Sequence, residues 1–333
     1  MLGFLTIIVI YSLILVGGIV RATGAGMGCP DWPQCFGQWI PPTAESQLPA
    51  DYQTIYADRG YSDTTFNVRK TWTEYLNRLL GVFTGIMILA TLIASIPFRK
   101  IDPPVFYLSL AGFLLVGFQG WLGSRVVASN LSPGLITIHM LVAQLIVAIL
   151  IAGIARSQRD LLASEPLHRL PRWFGQLLVV VMAISLVQMV VGTQVREAVD
   201  MIAQQSDYEN RHLWIENLPV IFDFHQYSAI PLLLLNALLL FFLFRDVAQS
   251  SITGKACVAL VVVLTGTTVM GMSMQRLNLP IFAQPLHLWL SSLIFGLQFF
   301  LYIVWRYSRG DSTAENVDDS QAPGHRHGYS SGR

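Results

Sequence analysis

Of 333 residues, 53% are hydrophobic and only 12% charged, and the mean hydropathy is +0.53, a balance that excludes an ordinary water-soluble domain. The formal net charge of +1 excludes the concentrated basic face that a nucleic-acid footprint needs, so no nucleic acid is expected as a partner. The expected solvent is the lipid bilayer.

A helix needs about 20 apolar residues to cross the hydrocarbon layer. Runs of that kind lie at 3–21, 72–98, 104–126, 133–155, 173–196, 219–245, 254–275 and 280–306. They predict an all-α membrane protein of eight transmembrane helices. The first run starts almost at Met1 with no basic region before it, so a retained helix is expected rather than a signal peptide, and nothing resembles a mitochondrial presequence. Loops after the even helices carry Arg99 and Lys100, then Arg156, Arg159, Arg169 and Arg172, then Arg245 and Lys255; Arg306 and Arg309 follow the last helix. The odd loops hold Asp31, Glu45, Asp51, Asp58 and Asp63, and later Glu197, Asp200, Asp207, Glu209 and Glu216. By the positive-inside rule both termini face the cytoplasm and the acidic loops face outward.

The chain reads as two copies of a four-helix unit. Helix one ends Val16-Gly17-Gly18-Ile19-Val20-Arg21 and helix five Val191-Gly192-Thr193-Gln194-Val195-Arg196. Asn77 and His139 are 62 residues apart, as are His225 and His287, and the same shift of 148 places Gly123 on Gly271 and Asn130-Leu131 on Asn278-Leu279. The domains expected are an N-terminal bundle at 1–157, a cytoplasmic linker at 158–172, a C-terminal bundle at 173–307 and a disordered cytoplasmic tail at 308–333. The outer loop at 22–71 is about 27 residues longer than its counterpart and predicts a small lid with short helical pieces. Its Cys29 and Cys35 form a disulfide or stay a pair of free thiols; both are open. Cys257 reads as packing inside helix seven, and His168, His212, His325 and His327 as solvated polar residues.

The chemistry concentrates in Thr73-Glu74-Tyr75-Leu76-Asn77-Arg78, where Glu74, Asn77 and Arg78 share one helix face. Polar groups at the edge of an apolar run mark a functional site, with a headgroup-anchoring ion pair as the plain alternative. His139, His225 and His287 recur at the depth of Asn77, about 10 Å below the outer surface at about 1.5 Å per residue. One such histidine reads as packing; three at equivalent positions read as ligands in a bundle core. Two opposed imidazoles suit a heme iron, whereas zinc is disfavoured because no further Cys or carboxylate ligand is near. His225 and His287 thus predict a bis-histidine heme site, while Asn77 and His139 predict a looser one beside an acid. Arg21, Arg78, Arg125, Arg196 and Arg276 are candidate partners for heme propionates or interfacial anchors. Gly17, Gly18, Gly120, Gly123, Gly192 and Gly271 allow close approach of a macrocycle, or simply of another helix.

With these residues in view, the sequence resembles the heme A synthase family over residues 3–306. The resemblance rests on Gly17, Gly18 and Arg21, the Gly-x-Gly and Asp-Trp-Pro segments of the first loop, Glu74-x-x-x-Arg78, the three histidines and the repeat. It implies a heme b cofactor held by His225 and His287 and a substrate heme O in the N-terminal half, with His139 on its iron and Glu74 as the catalytic acid residue. It implies oxidation of the C8 methyl to a formyl group in two steps, giving heme A for terminal oxidases. Cys29 and Cys35 match a cysteine pair found in part of that family. Implied with these are a bacterial cytoplasmic (inner) membrane location, heme O synthase and cytochrome oxidase assembly factors as partners, and an unidentified electron acceptor; a homo-oligomer is left open. The family usually has histidine where this chain has Asn77, so either the substrate iron is more weakly held or the chain binds heme without catalysis. A diheme b-type electron-transfer protein and a heme transporter are the rival classes.

Overall fold

In lipid every backbone polar group must be satisfied within the protein, and the apolar runs accordingly fold as helices. The computed structural model describes residues 1–62, 64–206 and 209–321, so Asp63, Asp207, His325 and His327 lie outside the described residues. Its membrane-length helices are α1 (Leu2–Ala22), α2 (Val68–Ser95), α3 (Pro103–Ala128), α4 (Pro133–Ser157), α5 (Trp173–Gln205), α6 (Ile221–Asp246), α7 (Ile252–Arg276) and α8 (Ala283–Gln321). The eight apolar spans are all present, and the described residues contain no strand.

Local chemistry sets several ends. The Asn67 side chain accepts the Lys70 N–H (3.1 Å) and starts α2 four residues before the apolar run. Prolines open α3 and α4, where a missing N–H does no harm. After α3 and α7 the chain turns through Asn130-Leu131 (φ 52° and 63°) and Asn278-Leu279 (φ 53° and 56°). Each pair is closed by the same bond one repeat apart: Leu131 N–H to Val126 O and Leu279 N–H to Met274 O, both 2.9 Å. Two elements outrun their apolar cores. α5 continues past Arg196 to Gln205, since Arg196 and Asp200 pair one turn apart (2.6 Å) on a continuous helix. Helix α8 continues beyond 307 to Gln321, with no proline before Pro323 to stop it; the rest of the expected tail lies outside the described residues.

In the first half α1 packs on α2, α2 on α3, α3 on α4 and α4 back on α1; α5 to α8 close in the same cycle. The halves meet through α1 on α8, α4 on α8 and α4 on α5. The core there, including Ile10, Val147, Leu178, Leu239 and Leu301, is threaded by polar side chains that pair with one another. Gln144 Nε2 donates to Ser292 Oγ (2.9 Å), whose hydroxyl is also within reach of Gln144 Oε1 (3.1 Å). Gln298 Nε2 donates to Asn236 Oδ1 (2.9 Å) while its Oε1 accepts the Ser185 hydroxyl (3.1 Å).

The lid between α1 and α2 has the short helical pieces expected, Glu45–Gln47, Tyr52–Ile55 and Ala57–Arg59. Its small core is Phe36, edge-on to Tyr52, Tyr56, Tyr61 and Phe66, beside a Cys29–Cys35 disulfide (2.02 Å). Asp31 caps the tight turn that follows, accepting the N–H groups of Phe36 (2.6 Å) and Gly37 (2.7 Å). Burial raises the Tyr61 phenol above its ordinary pKa, so it stays protonated and donates to the Met27 carbonyl (2.5 Å).

Gln298 is fully buried, and replacing it with Leu strands the Ser185 hydroxyl and the Asn236 amide. Gln298→Leu should lower thermal stability in detergent by about 1–3 kcal/mol. An unchanged melting curve would show that this network carries no stability.

Candidate functional site

Glu74 lies on the second turn of α2, 3% exposed, facing the lid rather than lipid. Its Oε2 accepts the Cys29 N–H (2.9 Å), and its Oε1 accepts Arg78 Nε (3.2 Å) and Nη2 (2.5 Å). The rest of the guanidinium reaches the lid backbone: Nη1 to the carbonyls of Asp31 (2.7 Å) and Gln34 (2.9 Å), Nη2 to that of Cys29 (3.1 Å). All five donors of Arg78 are used, which no lysine can imitate. Thr71 adds a bond to the Gly28 carbonyl (2.9 Å), and a Cβ on Gly28 would run into the Lys70 carbonyl. Glu74 and Arg78 therefore clasp the disulfide loop to α2. With its donors used this way, Arg78 has none left for a heme propionate.

The four positions at matching depth share a second feature. A Cβ added to Gly192 on α5 would lie 3.1 Å from the His225 ring, one on Gly271 of α7 3.3 Å from His287, and one on Gly123 of α3 3.4 Å from His139. Gly17 on α1 stands in the same way to Asn77, 3.9 Å from its Oδ1. These glycines are notches for the even-helix side chains, a pairing that spacing alone leaves indistinguishable from helix packing. Gly120 meets nothing, and Gly18 meets Pro285 of α8.

Between α6 and α8 the His225 and His287 rings stand with centroids 6.2 Å apart and planes at 73°. An imidazole nitrogen sits about 2.0–2.1 Å from a bound metal and about 1 Å from its own centroid, so one ion between two rings needs about 6 Å. The spacing fits a metal shared by both rings. His287 Nδ1 lies 2.9 Å from the Thr267 carbonyl, which can only accept, so Nδ1 carries the proton and Nε2 keeps its lone pair. The His225 and His139 Nδ1 atoms are buried without a partner. Glutamines fix the backbone of both: Gln188 Nε2 donates to the His225 carbonyl (2.6 Å) and Gln119 Nε2 to that of His139 (2.8 Å). No cluster of three or more His, Cys, Asp or Glu occurs among the described residues.

The outer arginines divide. Arg21 (3.4 Å) and Arg196 (2.6 Å) share the two oxygens of Asp200, and Arg196 also bonds Gln284. Arg125 and Arg276 are exposed and make no side-chain hydrogen bond or ion pair among the described residues. Asp200 was legible only as one acid in an outer loop; its i+4 spacing from Arg196 was the available signal. His168 and His212 fall in short 3₁₀ turns away from the rings, and Cys257 is buried and free.

The pattern of a family described as "Cytochrome oxidase assembly protein" (COX15-CtaA) matches residues 1–299. Similar proteins include a heme A synthase of Shewanella oneidensis, 30% identical over 48% of this chain and 46% of that protein. A heme A synthase of Bartonella bacilliformis is 29% identical over 41% of this chain and 42% of its own length. One of Rickettsia prowazekii is 24% identical over 92% of this chain and 97% of that protein. The match thus spans about half the length of the first two relatives and nearly all of the third. Because the family pattern runs from the start of α1 well into α8, taking in both halves and the lid between them, the chain belongs to the COX15-CtaA family of cytochrome oxidase assembly proteins.

Proposed function

We propose that this protein is a heme A synthase, oxidising the C8 methyl of heme O to a formyl group through the alcohol. The observation that carries the reading is the His225 and His287 ring pair, spaced for one metal, in a chain whose family pattern covers both halves. His225 and His287 would hold a resident heme b, which supplies electron transfer between the substrate half and an external acceptor. Heme O would lie in the first half with His139 toward its iron. Arg125 and Arg276, whose donors are unspent, are assigned to heme carboxylates in preference to Arg21 and Arg196, which Asp200 already holds.

Glu74 is assigned the proton of the methyl oxidation. Its Oε1 is fixed by Arg78, so Oε2, bound by the neutral Cys29 N–H, is the oxygen that can take a proton once the lid shifts. The clasp then has a second effect: it holds the disulfide loop against the outer end of α2. The acidic loops and the lid are placed outside a bacterial cytoplasmic membrane, with both termini inside. Heme O synthase and the oxidase assembly machinery are the partners this reaction requires.

Membranes from cells expressing this chain with a heme O synthase should contain heme A or its alcohol intermediate, identified by reversed-phase chromatography and mass. Heme B and unconverted heme O alone, with the protein present and loaded, would make it a non-catalytic heme binder. Glu74→Gln should keep resident heme and lose formyl product; wild-type product from that variant would leave Glu74 the clasp role alone. In His287→Ala the heme iron bound per protein should fall by about half, read by pyridine hemochrome. Full heme content with an unaltered spectrum would remove His287 from the ligand set.

A further inference from the structure

Position 77 departs from the other three notches. Where a glycine meets an imidazole the missing Cβ would lie 3.1–3.4 Å from the ring; at Gly17 the nearest atom is Asn77 Oδ1 at 3.9 Å. The amide is smaller than the ring its notch is shaped for. Asn77 Oδ1 is also buried with no hydrogen-bond partner, and Gln119 Oε1 and His139 Nδ1, on α3 and α4 of the same half, share that state. An unpaired buried carbonyl oxygen is costly, so a donor belongs beside it. The backbone of α2 supplies none, because its N–H groups are spent on the helix.

We propose that Asn77 leaves one coordination position of the iron held by His139 open to a small exchangeable ligand that donates a hydrogen bond to Asn77 Oδ1. In the resting protein that ligand is water. This rests on the reading of the first half as a heme site, though not on its catalysis. An amide oxygen is a poor iron ligand but a good acceptor, so Asn77 suits an occupant with an O–H or N–H. An imidazole ring is the group the histidines present at the other notches, so free imidazole is the matching probe. Carbon monoxide needs only the vacant position.

The test uses the full chain, purified with heme from cells also making heme O. Ferrous protein is exposed to carbon monoxide and ferric protein titrated with imidazole. About half of the iron should respond to each, the other half being held on both sides by histidine. Asn77→His should reduce both responses at least tenfold at unchanged heme content, and His139→Ala should abolish the imidazole-dependent low-spin signal of that fraction. Iron that is wholly six-coordinate and inert to both probes in the unmodified chain overturns the proposal, as does a responding fraction that persists in Asn77→His. Should Asn77→His fail to assemble, the titration of the unmodified chain decides. Product analysis on the same preparations separates the two readings. Product from inert iron sinks the open position and keeps the enzyme, whereas responsive iron without product keeps the position and sinks the enzyme.

Discussion

A carboxylate and a guanidinium at the edge of a low-dielectric layer survive only by satisfying each other and everything around them, and the outer end of this protein is built on that constraint. Breaking a buried ion pair strands a charge at roughly 3–5 kcal/mol, well above the value of an exposed surface pair. Glu74 and Arg78 avoid that penalty by recruiting the lid backbone as the remaining partner. The lid has only a small aromatic core and one disulfide of its own. Its attachment to α2 rests on the pair together with bonds from Thr71, Trp72 and Tyr75 to lid carbonyls.

The same need for satisfaction sets the core between the halves apart from the ring notches. Between the halves, polar side chains find one another, and Gln144, Ser292, Asn236 and Gln298 end with partners. Nearer the outer end, Asn77 Oδ1, Gln119 Oε1, and the Nδ1 atoms of His139 and His225 do not. Buried polar atoms in a folded chain are nearly always paired; these four lie at or beside the ring notches, while Glu165 Oε2, Thr253 Oγ1, Trp289 Nε1 and Trp305 Nε1 are unpaired elsewhere. His287 shows the complementary case, one nitrogen tied to a carbonyl and the other left with its lone pair.

How much of this the sequence carried depends on the range of the interaction. The spans were legible because lipid imposes a length and a composition on each helix, and Asn130-Leu131 and Asn278-Leu279 were legible as a repeat, though not as the left-handed turns they form. The three histidines stood out because a costly residue recurring at one depth is rarely an accident. The glycine notches were hidden, since a small residue serves helix packing and ring packing alike until a neighbour is named. The end of α5 was misplaced because apolarity stops at Arg196 while the helix does not; only the i,i+4 spacing to Asp200 hinted at it. Asp200's bond to Arg21 crosses from one half to the other, and no local pattern encodes that.

That cross-half bond bears on how charge is distributed over the outer face. Arg21 and Arg196 occupy equivalent ends of α1 and α5, where two guanidinium groups facing across the interface would repel. Placing Asp200 between them, one oxygen to each, turns repulsion into a three-group bridge at the junction of the halves. The two arginines are thereby committed to holding the halves together. Arg125 and Arg276, each at the end of an odd helix, are exposed and carry no side-chain hydrogen bond or ion pair among the described residues. The partition follows from a single acid, and exchanging Asp200 for a neutral residue would undo it at both arginines at once.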